Sequence, residues 1–183
     1  MNTDSLREIA DDGELELMRE WRNAPQVRAN MYTRHVISPE EHRQWWDRIR
    51  VSDRHCYRIF VRDGVPLGIV GFYDIDRESQ HAVWAFYAAP DAPRGTGSAM
   101  EFAALDMAFG ELGLRKLSCE VLEFNAAVIK LHHKFGFKTE GIFVQHHKTD
   151  TGHVDVHRLA IFADDWAQHR SDMEIRLNKT SGQ

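Results

Sequence analysis

Apolar side chains recur along this chain at two spacings, and the change from one to the other sets out its elements. Residues 14–23 carry Leu15, Leu17, Met18 and Trp21 with charges between them, the spacing of a helix with one apolar face, and Pro25 follows its end. Ser38-Pro39-Glu40-Glu41 then reads as a capping box with proline at the first helical position, and Trp45, Trp46 and Ile49 form the stripe behind it. The middle of the chain alternates instead. Residues 55–62 and 65–73 are rich in strand formers and flank Asp63-Gly64, a hairpin signal, and 81–88 reads as a third strand. After a glycine-containing turn, 98–112 predicts a helix closed by Gly113, 114–122 a strand, and 126–135 a helix capped by Asn125 and ended by Gly136. A last hairpin, 137–146 and 153–162, turns at Thr149-Asp150-Thr151-Gly152. Helices, a hairpin, then β, α, β, α and a second hairpin predict a mixed α/β sandwich, not a doubly wound fold.

The 183 residues suffice for one well-buried domain. No repeat, low-complexity segment or linker divides them, so 1–183 reads as a single domain with its core over 5–165 and a C-terminal tail over 166–183. The net charge of −5 argues against general nucleic-acid binding, which draws on a clustered basic excess. No apolar run reaches the length of a membrane span, and the first residues lack the basic and apolar character of a signal sequence. Cys56 and Cys119 have neither disulfide nor zinc-site spacing, so reduced thiols in a cytoplasmic protein without a membrane partner are expected. His153, Asp155 and His157 share one strand face, but without a fourth ligand at suitable spacing no metal is expected.

The stretch Pro93-Arg94-Gly95-Thr96-Gly97-Ser98-Ala99 carries the most chemistry. It joins a strand to a helix, with glycines where backbone amides approach a ligand, and the start of a helix presents unpaired N–H groups that suit a phosphate. A dinucleotide fingerprint needs a third glycine near position 100, which is Met100, and a P-loop needs a lysine that is absent. Together with Asn125 and Leu131-His132-His133-Lys134-Phe135-Gly136-Phe137 downstream, the turn resembles the core of the GCN5-related N-acetyltransferases over about residues 5–165. At the front, Trp21-Arg22-Asn23, Met31-Tyr32 and Ile37-Ser38 through Trp45 resemble the PseH-type subfamily, as does Cys119 through Asn125.

The resemblance implies a single three-layer domain with a central, mostly antiparallel sheet. It implies acetyl-CoA as co-substrate, without a metal. The turn from Arg94 through Gly95, Thr96, Gly97, Ser98 and Ala99 would hold the pyrophosphate. Phe86, Tyr87 and Ala88 would lie on a strand that splays from its neighbour to take the pantetheine arm and to free an N–H for an oxyanion. Asn125 would contact the arm. His132 stands where the family usually has a tyrosine that protonates the departing thiolate, and with an ordinary imidazole pKa of about 6.5 it would do so only in part. For a base, Glu120, Glu123 and His81 are candidates between which the sequence does not choose. The subfamily acetylates the 4-amino group of a UDP-linked amino sugar on the way to pseudaminic acid. Arg22, Met31, Tyr32, His42 and Trp45 are the expected acceptor site, with Arg22 on the diphosphate and the rings and methionine under the uracil. A homodimer is compatible with this reading. Two others stay open: acetylation of ribosomal-protein N-termini, and acyl-CoA binding without catalysis.

Overall fold

The computed structural model describes residues 4–181. Strand β1 (Asp4–Arg7) leads into helices α1 (Asp12–Asn23), α2 (Pro25–Arg28) and α3 (Pro39–Ile49). The hairpin β2 (Cys56–Arg62) and β3 (Val65–Asp76) follows, then β4 (His81–Ala88), α4 (Thr96–Asp106), β5 (Lys116–Leu122) and α5 (Ala126–Lys134). Strands β6 (Lys138–Thr149) and β7 (Gly152–Phe162) and helix α6 (Ala163–Ser181) complete the order. The seven strands form one sheet in the order β1-β2-β3-β4-β5-β7-β6. Every pairing is antiparallel except β4 with β5.

The helix starts follow their local chemistry. Asp11 Oδ1 accepts from the Glu14 N–H at 2.9 Å, and Ser38 Oγ accepts from the Glu41 N–H at 3.1 Å, caps of about 1 kcal/mol each. Only half of the expected capping box forms, because the Glu41 carboxylate turns to His35 instead. At the first hairpin Asp63 and Gly64 take φ of 50° and 81°, the left-handed pair a two-residue turn requires.

Apolar residues cover both sheet faces. On one, Leu15, Met18 and Trp21 of α1 pack on Ile59, Val61 and Ile69. On the other, Met100 and Leu105 of α4 and Phe135 pack on Phe60, Phe72, Trp84, Leu117 and Ile161. Helix α4 lies so close that a Cβ at Gly68 would stand 2.5 Å from Met100 Cε and 2.8 Å from the Tyr87 carbonyl oxygen.

Three sequence expectations change, and one strand appears that none covered. The helix after the glycine turn starts at Thr96, not 98, and gives way after Asp106 to a π-helical turn, Met107–Glu111, before Gly113 ends it in the left-handed region at φ 62°. Asn125 does not cap α5 with its side chain; its backbone carbonyl receives the Val128 and Ile129 N–H groups. Strand β1, with the polar sequence Asp-Ser-Leu-Arg, has no periodicity to read and exists by pairing with β2. The stretch expected as a tail is helix α6, joined to α4 where Asp106 accepts from Trp166 Nε1 at 3.0 Å and from Arg170 at 2.8 and 2.7 Å.

Candidate active site

β4 and β5 pair at only three positions, from His81 with Lys116 to Val83 with Ser118. Beyond them β4 stays with β3 as far as Ala88, and β5 stays with β7 as far as Leu122, so the sheet opens between them. The Ala82 carbonyl accepts from Ser118 Oγ at 3.2 Å and so faces β5. The two-residue period of the strand therefore turns the main-chain N–H and C=O of Trp84 and Phe86 into the opening. A slot of about 240 Å³ results, lined among others by Trp84, Phe86, Ala88, Cys119, Glu120, Asn125 and His132.

The glycine turn lies at the end of this strand. Gly95 precedes α4 in the left-handed region at φ 90°, which only glycine enters freely. Thr96 is buried, and both its N–H and its hydroxyl bond the Pro93 carbonyl, at 3.2 and 2.7 Å, so this amide is not free for a ligand. The Ala99 N–H returns to Gly95. The N–H groups of Gly97 and Ser98 have no partner among the described residues and form the open end of α4, with exposed Arg94 nearby in sequence. Gly97 itself has helical backbone, and a Cβ there would meet Phe86 and Leu131 at an ordinary 3.7 Å. Its value is the open surface, not unusual torsion.

His132 and His133 are adjacent on α5 but face opposite environments. His133 bonds the Phe137 carbonyl at 2.9 Å, near the helix end. His132 is buried, edge-on to Trp84 and Phe86, with Nδ1 2.8 Å from Glu101 Oε1. Burial alone lowers an imidazole pKa, but the Glu101 carboxylate more than reverses it, with Cys119 adding a smaller attraction, and His132 is pushed up to about 10. Burial holds the Glu101 carboxyl above its usual range, with His132 opposing, so the pair keeps one proton between them across neutral pH. The ordinary imidazole value expected from sequence is thereby corrected. Glu101 escaped the sequence reading, although an acid within the run Ala99-Met100-Glu101-Phe102-Ala103-Ala104-Leu105 is a legible signal of a buried partner.

A second cavity of about 440 Å³ lies on the α1 and α3 side of the sheet. It gathers Arg22, Met31, His42 and Trp45, four of the five residues expected at the acceptor site. Met31, Ala85 and Tyr87 line both cavities, so the two meet across β4, where Ala85 is exposed in mid-strand. Arg22 Nη2 donates to the Thr33 carbonyl at 2.9 Å, while Nη1 is buried without a partner among the described residues. His42 stacks on Trp45 at 5.2 Å, and burial, helped by Arg19, lowers its pKa to about 4, so the ring is neutral at pH 7. Tyr57, which the sequence reading missed, stands edge-on to Trp45 at 5.1 Å, and burial pushes its phenol up to about 12. Glu41 and Arg48 were missed too, although they share α3 with His42 and Trp45.

Tyr32 is the fifth expected residue, and it lies elsewhere. Asn30 and Met31 close short backbone turns after α2, sending Met31 inward and Tyr32 out toward β5. There the Tyr32 hydroxyl donates to Glu120 Oε2 at 2.8 Å, and its ring meets His147 edge-on at 5.0 Å. Of the three candidate bases, Glu120 alone lines the slot, its other oxygen accepting from Arg158 at 3.0 Å. His81 sits at the closed end of β4, near Asp76. Asp155, in the expected His-x-Asp-x-His strand, accepts from the Gln145 N–H at 2.7 Å.

Residues 5–138 match the acetyltransferase (GNAT) domain model. The acetyltransferase PseH of Campylobacter jejuni subsp. jejuni (serotype O:23/36, strain 81-176) is 27% identical over 124 residues, which cover 68% of this chain and 76% of that protein. The SPbeta prophage-derived uncharacterized N-acetyltransferase YokL of Bacillus subtilis (strain 168) is 30% identical over 102 residues, 54% of this chain and 56% of that protein. Among solved structures, spermidine N-acetyltransferase from Vibrio cholerae in complex with CoA and spermine superposes with a TM-score of 0.84. The match covers 90% of this chain and 98% of that one at 20% identity, a likeness of fold.

Proposed function

The chain belongs to the GNAT acetyltransferases and is an acetyl-CoA-dependent N-acetyltransferase, and from that premise we propose that its acceptor is the 4-amino group of a UDP-linked amino sugar of the pseudaminic-acid type. One observation carries the choice of acceptor: the buried, unpartnered Nη1 of Arg22 in a cavity walled by Trp45, Tyr57 and Met31. A buried guanidinium N–H without an acceptor is costly, and a diphosphate oxygen would supply the charge-assisted bond it lacks. Flat and soft apolar walls suit a pyrimidine ring. The named relative PseH supports the same reading.

A polyamine fits less well. The charged side chains of the cavity wall are Arg22, Arg48 and Glu41, and His42 is neutral, so no acidic surplus is present for a polycation.

Coenzyme A supplies an activated acetyl thioester. The open N–H groups of Gly97 and Ser98, with Arg94, would bind its pyrophosphate, and the free edge of β4 at Trp84 and Phe86 would pair with its arm. The side chain of Asn125, released from capping, would bind the arm from the other side of the slot. The Phe86 N–H, turned into the opening, would stabilise the oxyanion. His132, with Nδ1 held by Glu101, keeps Nε2 for a proton bound for the leaving sulfur. Glu120, the one candidate base that lines the slot, would take the amine proton, directly or through water.

The test is thiol release from acetyl-CoA with a UDP-4-amino sugar, spermidine and an N-terminal peptide as rival acceptors. Turnover with the sugar nucleotide and competition by UDP are expected. Turnover with spermidine or peptide, and no effect of UDP, would refute the assignment.

A further inference from the structure

Cys119 is the first residue of β5 beyond the last β4–β5 pair, so it stands where the sheet opens. It is buried from the outside, yet it lines the slot together with His132. Glu101 fixes His132 from behind at 2.8 Å. Trp84, 1% exposed, lines the same slot, and its indole N–H has no partner among the described residues. A nucleophile, an oriented imidazole and an unpaired donor thus share one narrow wall. Acetyl transfer to an amine has no use for the cysteine sulfur.

We propose that Cys119 is a covalent modification site for the disulfide form of coenzyme A, which would bind by the same slot and turn. The Cys119 thiolate attacks one sulfur of the symmetrical disulfide. A Cys119–S–S–CoA bond forms, the old S–S bond breaks, and the second coenzyme A leaves as a thiolate that takes up the proton Cys119 lost. The disulfide is the oxidant, so no other redox partner enters. Exchange proceeds at a sulfur that lines the path of the bound disulfide, and Cys119 stands on that wall with His132. The adduct places the enzyme's own cofactor in its cleft, so transfer stops under oxidising conditions and returns when thiols reduce the bond. Cys56 is an internal control: it lies outside the slot, and burial pushes its thiol up, away from reactivity.

This inference rests on the coenzyme A reading of the slot, and one experiment separates the two. The native protein, free of reductant, is incubated with coenzyme A disulfide and followed by intact-protein and peptide mass spectrometry. One adduct, of coenzyme A less one hydrogen replacing the thiol hydrogen, is expected on Cys119, lost in Cys119→Ser and kept in Cys56→Ser. Acetyl-CoA at about a hundred times its Kd should slow labelling by roughly a hundredfold. Glutathione disulfide at equal concentration should label at least roughly tenfold more slowly, since the slot raises the effective concentration of its own ligand only. Labelling on Cys56, equal rates for the two disulfides, or no protection by acetyl-CoA would overturn the site. If acetyl-CoA binds by calorimetry and no adduct forms, the modification fails alone; if acetyl-CoA does not bind, the slot reading falls with it.

Discussion

Replacing Glu101 by glutamine keeps the shape of the side chain and removes its charge, which isolates what the buried pair does for His132. In the native protein burial pushes the imidazole down and Glu101 more than restores it, to about 10 against an ordinary 6.5. At about 1.36 kcal/mol per pH unit, that is on the order of 5 kcal/mol in favour of the charged ring. In Glu101→Gln burial acts without the carboxylate, and the ring should titrate below 6.5. Turnover at saturating concentrations of both substrates is the assay. The native enzyme should hold its rate from pH 7 to 9, apart from the rise as the substrate amine loses its proton. Glu101→Gln should fall from about pH 6 upward and be roughly ten- to a hundredfold slower at pH 8, at or below the usual contribution of one general acid. Stability gives an independent reading. A histidine whose folded pKa is raised stabilises fully below its unfolded pKa and loses that contribution as pH climbs through the folded value. Unfolding by urea should therefore show native stability declining between pH 6.5 and 10, and Glu101→Gln should lack this decline. Coincident alkaline limbs in the two proteins, together with parallel stability profiles, would refute the argument.

Three further outcomes are expected. Gly97→Glu puts a carboxylate at the open end of α4 at a position with room for a Cβ, so acetyl-CoA binding by calorimetry should vanish while circular dichroism is unchanged. Arg22→Ala should raise KM for the sugar nucleotide by roughly tenfold to a hundredfold, the worth of about 1.5–3 kcal/mol for a charged hydrogen bond, and leave the Kd of acetyl-CoA unaltered. Asp106→Ala frees Trp166 and Arg170 together and should lower Tm by roughly 3–10 °C in calorimetry, from about 2–4 °C per kcal/mol in a domain of this size.

Much of the fold was legible because its signals are local. The bounds 81–88 of β4 follow from alternation, and Asp63-Gly64 and Gly113 follow from the torsions they adopt. The clustering of His42 and Trp45 in the second cavity was legible for a similar reason: they stand three apart on one helix, and the sequence shows that they share a face. What stayed hidden depends on pairing over long distances. β1 pairs with β2 across more than fifty residues, and α6 buries Trp166 and Met173 among mostly polar residues. Tyr32 follows Met31 by one residue yet faces a different strand, because a turn ends between them and no periodicity reports its direction.

Glu101 and His132 show how such hidden pairs bear on chemistry. They lie thirty-one residues apart, on α4 and α5, and neither makes sense alone. A carboxylate 0% exposed would carry a large desolvation cost without a cation beside it, and an imidazole as buried as His132 would lose its proton well below neutrality. Tyrosine at this place needs no such partner, because a phenol keeps its proton through the physiological range unaided. Histidine does need one. If His132 delivers a proton to the leaving sulfur, it therefore needs an acid on α4 whose side chain reaches the same ring, and Glu101 is that acid. An acid set among alanines, methionine and phenylalanine is the half of that pair a sequence displays, and only the fold brings His132 to it.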